Sequence, residues 1–466
     1  MRPKVKSAAY MKILYNTGVL TDIPTGEYQF GIHGESLLNG GRAPIEAVAG
    51  GGNTFKSTTA IARDLIVLDR LRQAGVDTSL SIEDTEMNMQ PVNMGRFASN
   101  LPSFNGMNPI DDGSMVITDD SMMYGDEFVR AMDDFVIEKL KIRDSQMVEI
   151  PFLDKDGKPM KIIPPSFWGI DSLTHWKTKA LEKFNKSNLG TSEQNTINMK
   201  MGLDKSNFLL KLGRMTVSAN HYCFLTSHYG KDSAPIGGNP NIPPPKKLNA
   251  MGSGEKTKGT TEQIYYVTHN MWRNKTAKPL TNQGTKGPEY PVDSTETNEP
   301  NLDLYVVDTV LLRGKFGPSG FTIPVVLSQK NGILPELTRF HYLRTNNYYG
   351  MNGGNTTFEM DLFPGLKLSR TTIRSKMKEN PLLIRAIEIT SDLLQLGIHR
   401  RHSDVHMSPA ELFETLKKKG YNWEQLLNTR EWWCPNNDKH PMSYLSTLDL
   451  LRMAHDKYRP YWLQKG

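Results

Sequence analysis

The chain has 466 residues, 38% of them hydrophobic, with aromatic residues along its whole length; this excludes a disordered polymer and leaves room for roughly one large or two to three modest domains. Its two cysteines, Cys223 and Cys434, exclude a disulfide framework and a Cys-rich zinc module and fit a reducing, cytoplasmic setting (the host cytoplasm if the source is viral). The net charge of +6 permits a polyanionic partner without demanding one, and the absence of a run of about 18 apolar residues predicts no membrane span.

In chain order, residues 1–40 form a turn-rich lead-in. Its basic opening, MRPKVKSAAYMKILYN, lacks the apolar stretch of a secretory leader. APIEAVAGG predicts a short buried strand entering a glycine turn. STTAIARDLIVLDRLRQ predicts an amphipathic helix from Ser57 to Gln73, stopped near Gly75. DTSLSIEDTE predicts a second strand ending in carboxylates, and strand, loop, helix, strand in that order opens a parallel α/β sheet. A Met-rich stretch over 87–145 ends in a helix at DEFVRAMDDFVIEKLKIRD, and MVEIPFLDKDGKPMKII predicts a hairpin turning at Asp156-Gly157. The apolar strand of PPSFWGIDSL ends at Asp171. A polar, basic stretch and a further helix lead to ANHYCFLTSHYG, a strand ending at Ser227-His228. Residues 229–262 lack periodicity and predict a loop, IYYVTHNMW predicts a strand, and 275–301 a second loop or insertion. LDLYVVDTVLLRG and TIPVVLSQ predict strands flanking a turn at KFGPSG, and the Asn- and Gly-rich residues 343–357 a flexible segment. From residue 370 the pattern turns helical, with Ser408, Pro409 and Glu411 forming a helix start.

Four motifs carry chemistry. In AGGGNTFKSTT, Gly50, Lys56 and Ser57 fit the phosphate-loop pattern G-x-x-x-x-G-K-[ST], with Phe55 in place of the second glycine. The loop Gly50, Gly51, Gly52, Asn53, Thr54, Phe55, Lys56, Ser57 and Thr58 would surround phosphates with backbone N–H groups at a helix start; Lys56 would neutralise them and Ser57 would bind Mg2+. Phenylalanine is compatible with its position if the local backbone avoids positive φ. The ordinary alternative is a glycine-rich turn, and the flanking strand and helix favour the phosphate loop. Glu83, Asp84 and Glu86 cluster at the next strand end, where a carboxylate can activate water, although a solvated acidic turn has the same composition. Asp171 can hold the shell of Mg2+, and His228 can sense a γ-phosphate; each alone also has a purely structural reading. Together the four stand in order at strand ends of one α/β sheet, where ligands gather. His399, His402 and His406 in HRRHSDVH lack the companion ligands of a metal site, and Trp432-Trp433 reads as packing.

On these residues the chain resembles the RecA-like recombinases, in particular their phage branch. Phe55-Lys56-Ser57, Asp84-Thr85-Glu86, Ile170-Asp171-Ser172 and Thr226-Ser227-His228-Tyr229 are similar to that branch's phosphate loop, catalytic acid, Mg2+-binding strand and sensor. Over residues 25–340 the resemblance implies an α/β fold, a RecA-like P-loop ATPase core with a twisted, mostly parallel sheet. The expected division is a protomer-contact lead-in (1–40), the core (41–340), a flexible connection (341–369) and a small α-helical C-terminal domain (370–466). Glu86 inherits water activation and His228 γ-phosphate sensing. Two DNA-binding loops are implied near 186–204 and 229–262, with Lys200, Lys246, Lys247, Lys256 and Lys258 as DNA candidates. From Lys246 to Lys275 there are six basic residues against two acidic, the local excess that phosphate contacts need. Arg313 and Lys315 match cations that reach the ATP of a neighbouring protomer. The implied activity is ATP- and Mg2+-dependent filament assembly on single-stranded DNA, with pairing to homologous duplex DNA and strand exchange. Phage mediator and single-strand-binding proteins would be further partners. The alternatives are a DnaB-type ring helicase, in which Glu83 replaces Glu86, and a RecA-fold DNA-binding mediator with a decayed site; intact Lys56, Ser57, Glu86 and Asp171 argue against decay.

Overall fold

The computed structural model describes residues 15–463 apart from 18, 23–27, 39, 155, 188–193, 232–244, 294, 297–301, 316–318, 355, 400–405 and 436–439. Its frame is an eleven-stranded sheet. Strand β1 (Ile45–Gly50) leads through the glycine loop into helix α1 (Lys56–Gln73), followed by β2 (Leu80–Asp84) and β3 (Met115–Asp119). Next come α2 (Gly125–Lys141), β4 (Ser166–Asp171), α3 (Gln194–Val217), β5 (His221–Lys231) and β6 (Glu255–Lys258). Strands β7 (Asn270–Asn274), β8 (Leu304–Gly314), β9 (Thr322–Ser328) and β10 (Gly332–Ile333) complete the labelled set. The order across the sheet is β10-β9-β8-β7-β1-β5-β4-β2-β3, with β6 on β5 and Lys278–Pro279 on β8. From β7 to β3 every neighbour is parallel, whereas β8, β9, β10 and β6 pair antiparallel. The protein is mixed α/β with a large, mostly parallel central sheet.

Both faces of that centre are covered, which is why its strands read as apolar runs rather than as alternating ones. Along β1, Ile45, Ala47 and Ala49 enter one hydrophobic cluster and Val48 the other. Ile61, Leu65 and Leu68 of α1 close the Val48 side. Phe128 of α2 and Phe208, Leu209 and Leu212 of α3 close the opposite side. The parallel strands therefore send their carboxyl ends to one edge, with the α1 start among them.

Three sequence expectations change. The first four residues of IYYVTHNMW belong to a short helix, Gln263–Val267, and the strand begins only at Asn270, where β1 and β8 offer partners; Thr268 Oγ1 donates to Ile264 O at 2.7 Å and closes that turn. Residues 343–357 are not an unstructured connection. Helix α4 (Pro335–Thr345) runs into strands Met351–Gly353, Phe358–Met360 and Phe363–Leu368, a three-stranded antiparallel sheet. The Asn and Gly content there serves a tight turn, with positive φ at Asn347, Tyr348 and Gly350. Strand β5 does not stop at His228 but continues to Lys231, where β6 pairs with the part that projects past β4.

The C-terminal part is helical as expected, with α5 (Pro381–His399), α6 (Pro409–Lys418) and α7 (Thr447–Ala454). Ser408 and Glu411 cap α6 reciprocally: Glu411 N donates to Ser408 Oγ at 3.3 Å, and Ser408 N to Glu411 Oε2 at 2.8 Å. Leu393, Leu412, Leu426 and Leu450 form a local core. Leu383 and Ile387 of α5 instead share a cluster with Val326 of β9 and Phe340 of α4, so the helices are joined to the sheet by burial. Trp433 packs on Tyr15 at 5.0 Å between ring centroids. Among the described residues no helix is long and apolar enough to cross a membrane.

Candidate active site

The loop between β1 and α1 is built by close backbone approach. A Cβ on Gly50 would meet Thr54 Oγ1 at 2.3 Å and the Asn274 carbonyl at 3.1 Å, whereas one on Gly52 would meet nothing within 4 Å. Gly50 is thus required by packing, and Gly51 and Gly52 leave the outer side of the loop open. Asn274, at the end of β7, holds the loop from behind: its Nδ2 donates to Thr54 O at 2.9 Å and to Thr59 Oγ1 at 3.1 Å. Thr309 Oγ1 fixes the Asn274 amide by donating to its Oδ1 at 3.1 Å. Asn274 was missed in the sequence: it lies two residues beyond the predicted strand IYYVTHNMW, whereas the observed strand ends on it.

Phe55 overturns one expectation. Its backbone is left-handed, with φ 57° and ψ 33°, and Asn53 has φ 55°. The chain takes the step that glycine would take, at a cost of about 1–2 kcal/mol for an L-residue. The ring lies 5.4 Å from that of Tyr305 and packs on the α1-side core, which offsets the strain.

Helix α1 opens with Lys56, Ser57 and Thr58 and has no acidic residue in its first turn and no capping side chain. Its first N–H groups and its dipole face the loop mouth. Lys56 Nζ donates to Gly51 O at 3.1 Å, which keeps its ammonium at the loop. Asp171, at the end of β4, is buried; Thr226 Oγ1 donates to its carboxylate. Burial raises the Asp171 pKa, opposed by the nearby Ser57 and Thr226 hydroxyls and by Lys56, while Glu86 adds to the rise. A carboxylate with an adjacent hydroxyl is a hard-oxygen donor pair suited to Mg2+, and the loop with Lys56 suits a polyphosphate; these residues fit both groups.

Of the three carboxylates around the end of β2, Glu83 and Glu86 differ sharply. Glu83 is fully buried beside Ile170 and Thr118, and neither oxygen has a hydrogen-bond partner among the described residues. Its pKa is pushed up to about 9, by burial first and then by Asp120 and Asp126. The Trp176 indole N–H is near enough to oppose this slightly, short of hydrogen-bond geometry. Glu86 stands at the open edge. Asp84 shapes its turn by accepting from Glu86 N at 3.1 Å, Asn88 N at 2.8 Å and Met89 N at 2.6 Å. Ser172 Oγ donates to Glu86 Oε1 at 2.8 Å, and His228 Nε2 lies 3.3 Å from the same oxygen. Partial burial pushes the Glu86 carboxyl up, but the Ser172 hydrogen bond, His228, Lys56 and His175 outweigh it and hold it below the usual range. His175, which the sequence did not single out, stands 4.0 Å from Glu86 Oε1.

The remaining candidates lie elsewhere. Register places Thr309 beside Asn274 and Arg313 beside Met271, so Arg313 and Lys315 sit toward the far end of β7 from Gly50 and do not join the site of their own chain. Lys200 lies in α3 rather than in a loop, its Nζ 3.6 Å from the Phe184 ring centroid; residues 188–193 of the first expected DNA loop lie outside the described residues. Of the second, 232–244 lie outside them. Lys246 is exposed and outside any regular element, Lys247 pairs with Glu262, and Lys256 and Lys258 stand on β6, with Lys258 directly opposite His228. His402 also lies outside the described residues. No protein-family model matches the chain, and no curated protein matches it.

Proposed function

We propose that the protein is a DNA-dependent P-loop ATPase of the RecA-like type, working as a phage-type recombinase that assembles on single-stranded DNA and promotes homologous pairing and strand exchange. The observation that supports this reading best is convergence: Lys56, Ser57, Glu86, Asp171 and His228, from the ends of β1, β2 and β4 and from within β5, meet around one open loop. MgATP supplies the phosphoryl group and the charge-spreading cation when bound. Lys56 and the N–H groups of α1 would hold the phosphates, and Ser57 and Asp171 the Mg2+. Glu86, ionised and aimed by Ser172, would accept the proton of the attacking water.

His228 lies on the same strand as the base of the β5–β6 hairpin, and its N–H donates to Thr174 Oγ1 at 2.9 Å while Thr174 Oγ1 donates to Lys258 O at 3.1 Å. A contact between His228 and a γ-phosphate would therefore bear directly on the hairpin that carries Lys256 and Lys258, linking nucleotide state to DNA grip. The far-end placement of Arg313 and Lys315 suits a role toward a neighbouring protomer. The helicase alternative needs Glu83 as the base, and a buried, protonated Glu83 counts against it. Electron microscopy with a non-hydrolysable ATP analogue and single-stranded DNA tests the assembly: helical filaments with strand-exchange activity are expected, and closed rings that unwind duplex DNA would replace this reading.

A further inference from the structure

Beside the Ser57–Asp171 pair, Glu86, His175 and His228 present one ligand atom each, all within 4.8 Å of one another. We infer that these three side chains form a binding site for a borderline divalent transition metal such as Zn2+, distinct from the Mg2+ position. Two imidazoles and one carboxylate are the donor set of an open zinc site, with a fourth position left for water. Bonds of about 2.0–2.1 Å in a tetrahedron separate ligand atoms by roughly 3.3–3.4 Å. The Glu86–His228 separation of 3.3 Å already has that value, and the Glu86–His175 separation of 4.0 Å needs only a small rotation of His175, whose side chain is 56% exposed.

Supporting contacts orient the ligands. Ser172 Oγ and Asn88 Nδ2 donate to the two Glu86 oxygens at 2.8 and 3.2 Å, and the His228 backbone is held by Thr174. Lys56 acts on Glu86 from the loop side and helps keep its carboxyl ionised, the form a metal ligand requires. A metal here occupies the oxygen that would otherwise face water and so shuts off hydrolysis. That consequence rests on the proposed role of Glu86; the binding itself does not.

The test is a titration of the full-length, nucleotide-free protein with Co2+ in excess Mg2+, following the visible band of low-coordinate Co2+. A saturable one-equivalent band that Zn2+ displaces is expected. It should weaken at least about tenfold in His175→Ala and persist in Ser57→Ala. No band in the native chain, or an undiminished one in His175→Ala, overturns the site. Zn2+ inhibition of MgATP turnover, scaled to each protein's own zinc-free rate, should fall in His175→Ala in parallel. Binding at the three side chains without inhibition would leave the metal site standing and remove Glu86 from the hydrolytic step.

Discussion

Phe55 occupies a backbone state that glycine adopts without steric cost, and the two substitutions that matter there pull in opposite directions. Phe55→Gly relieves about 1–2 kcal/mol of left-handed strain while losing the contact with Tyr305, so stability is expected to move little and nucleotide affinity to survive. Phe55→Ile retains apolar bulk but places a β-branched residue at φ 57°, and should lower stability and nucleotide binding together. Denaturant midpoints and nucleotide titrations of both variants check this. Glu83 and Glu86 make a second residue-scale contrast. A folded-state pKa raised from 4.5 to about 9 means that the folded protein holds a proton the unfolded chain gives up between those values. The Glu83 contribution is therefore full below the unfolded pKa and is lost as pH rises through the window, by up to roughly 1.4 kcal/mol per pH unit. Glu83→Gln should flatten the pH dependence of stability between pH 5 and about 9 and keep turnover. Glu86→Gln should cost turnover about 10²–10⁴-fold with stability preserved.

Elements decide how far such residues could be read in advance. The strand–loop–helix unit at β1 and α1 was legible because an apolar run, a glycine turn and a long apolar-rich segment ending near Gly75 follow one another, and the Asp171 strand and the Ser408–Glu411 cap were legible from equally local patterns. The left-handed turn at Phe55 was not, since nothing in the composition reports φ. The expected loop near Lys200 proved helical because Phe208, Leu209 and Leu212, spaced for a helix face, bury against the sheet and carry the preceding polar turns with them. Hairpin β5–β6 was hidden for a similar reason: its register is set across a gap of about two dozen residues, which local patterns do not span. Asn274 acts at this scale too, as the tie between β7 and the β1–α1 loop. Asn274→Ala leaves the Thr54 carbonyl and Thr59 hydroxyl short of a donor; it should destabilise the fold by about 1–3 kcal/mol and weaken nucleotide binding. Urea unfolding and ligand titration measure the two effects.

At the scale of the molecule, the C-terminal helices cannot be treated as a freely attached module. Arg339 of α4 reaches Glu388 of α5 at 2.7 Å, and Arg385 joins Glu388 at 2.5 Å and Glu431 at 3.0 Å, all in buried surroundings. Burial pushes Glu388 up, but Arg385 and Arg339 overcome it and hold the carboxyl well below the ordinary range. That stability is present above the unfolded-state pKa of 4.5 and is lost as pH falls toward the folded value. Glu388→Ala removes the carboxylate shared by both guanidinium groups, leaving Arg385 with Glu431 at 3.0 Å and Arg339 with Asp392 at 3.9 Å, and should cost about 3 kcal/mol in equilibrium unfolding. Ser36 N also donates to Asp449 of α7 at 2.9 Å, so chain segments from both ends meet on the C-terminal helices.

The measurement closest to the centre of this reading is the steady-state rate of ATP hydrolysis with and without single-stranded DNA, for the native chain beside Lys56→Ala. Hydrolysis stimulated by DNA in the native protein, and reduced at least about a hundredfold in a folded Lys56→Ala variant, is the expected result. No hydrolysis in the native chain, or an equal rate in both proteins, would contradict it.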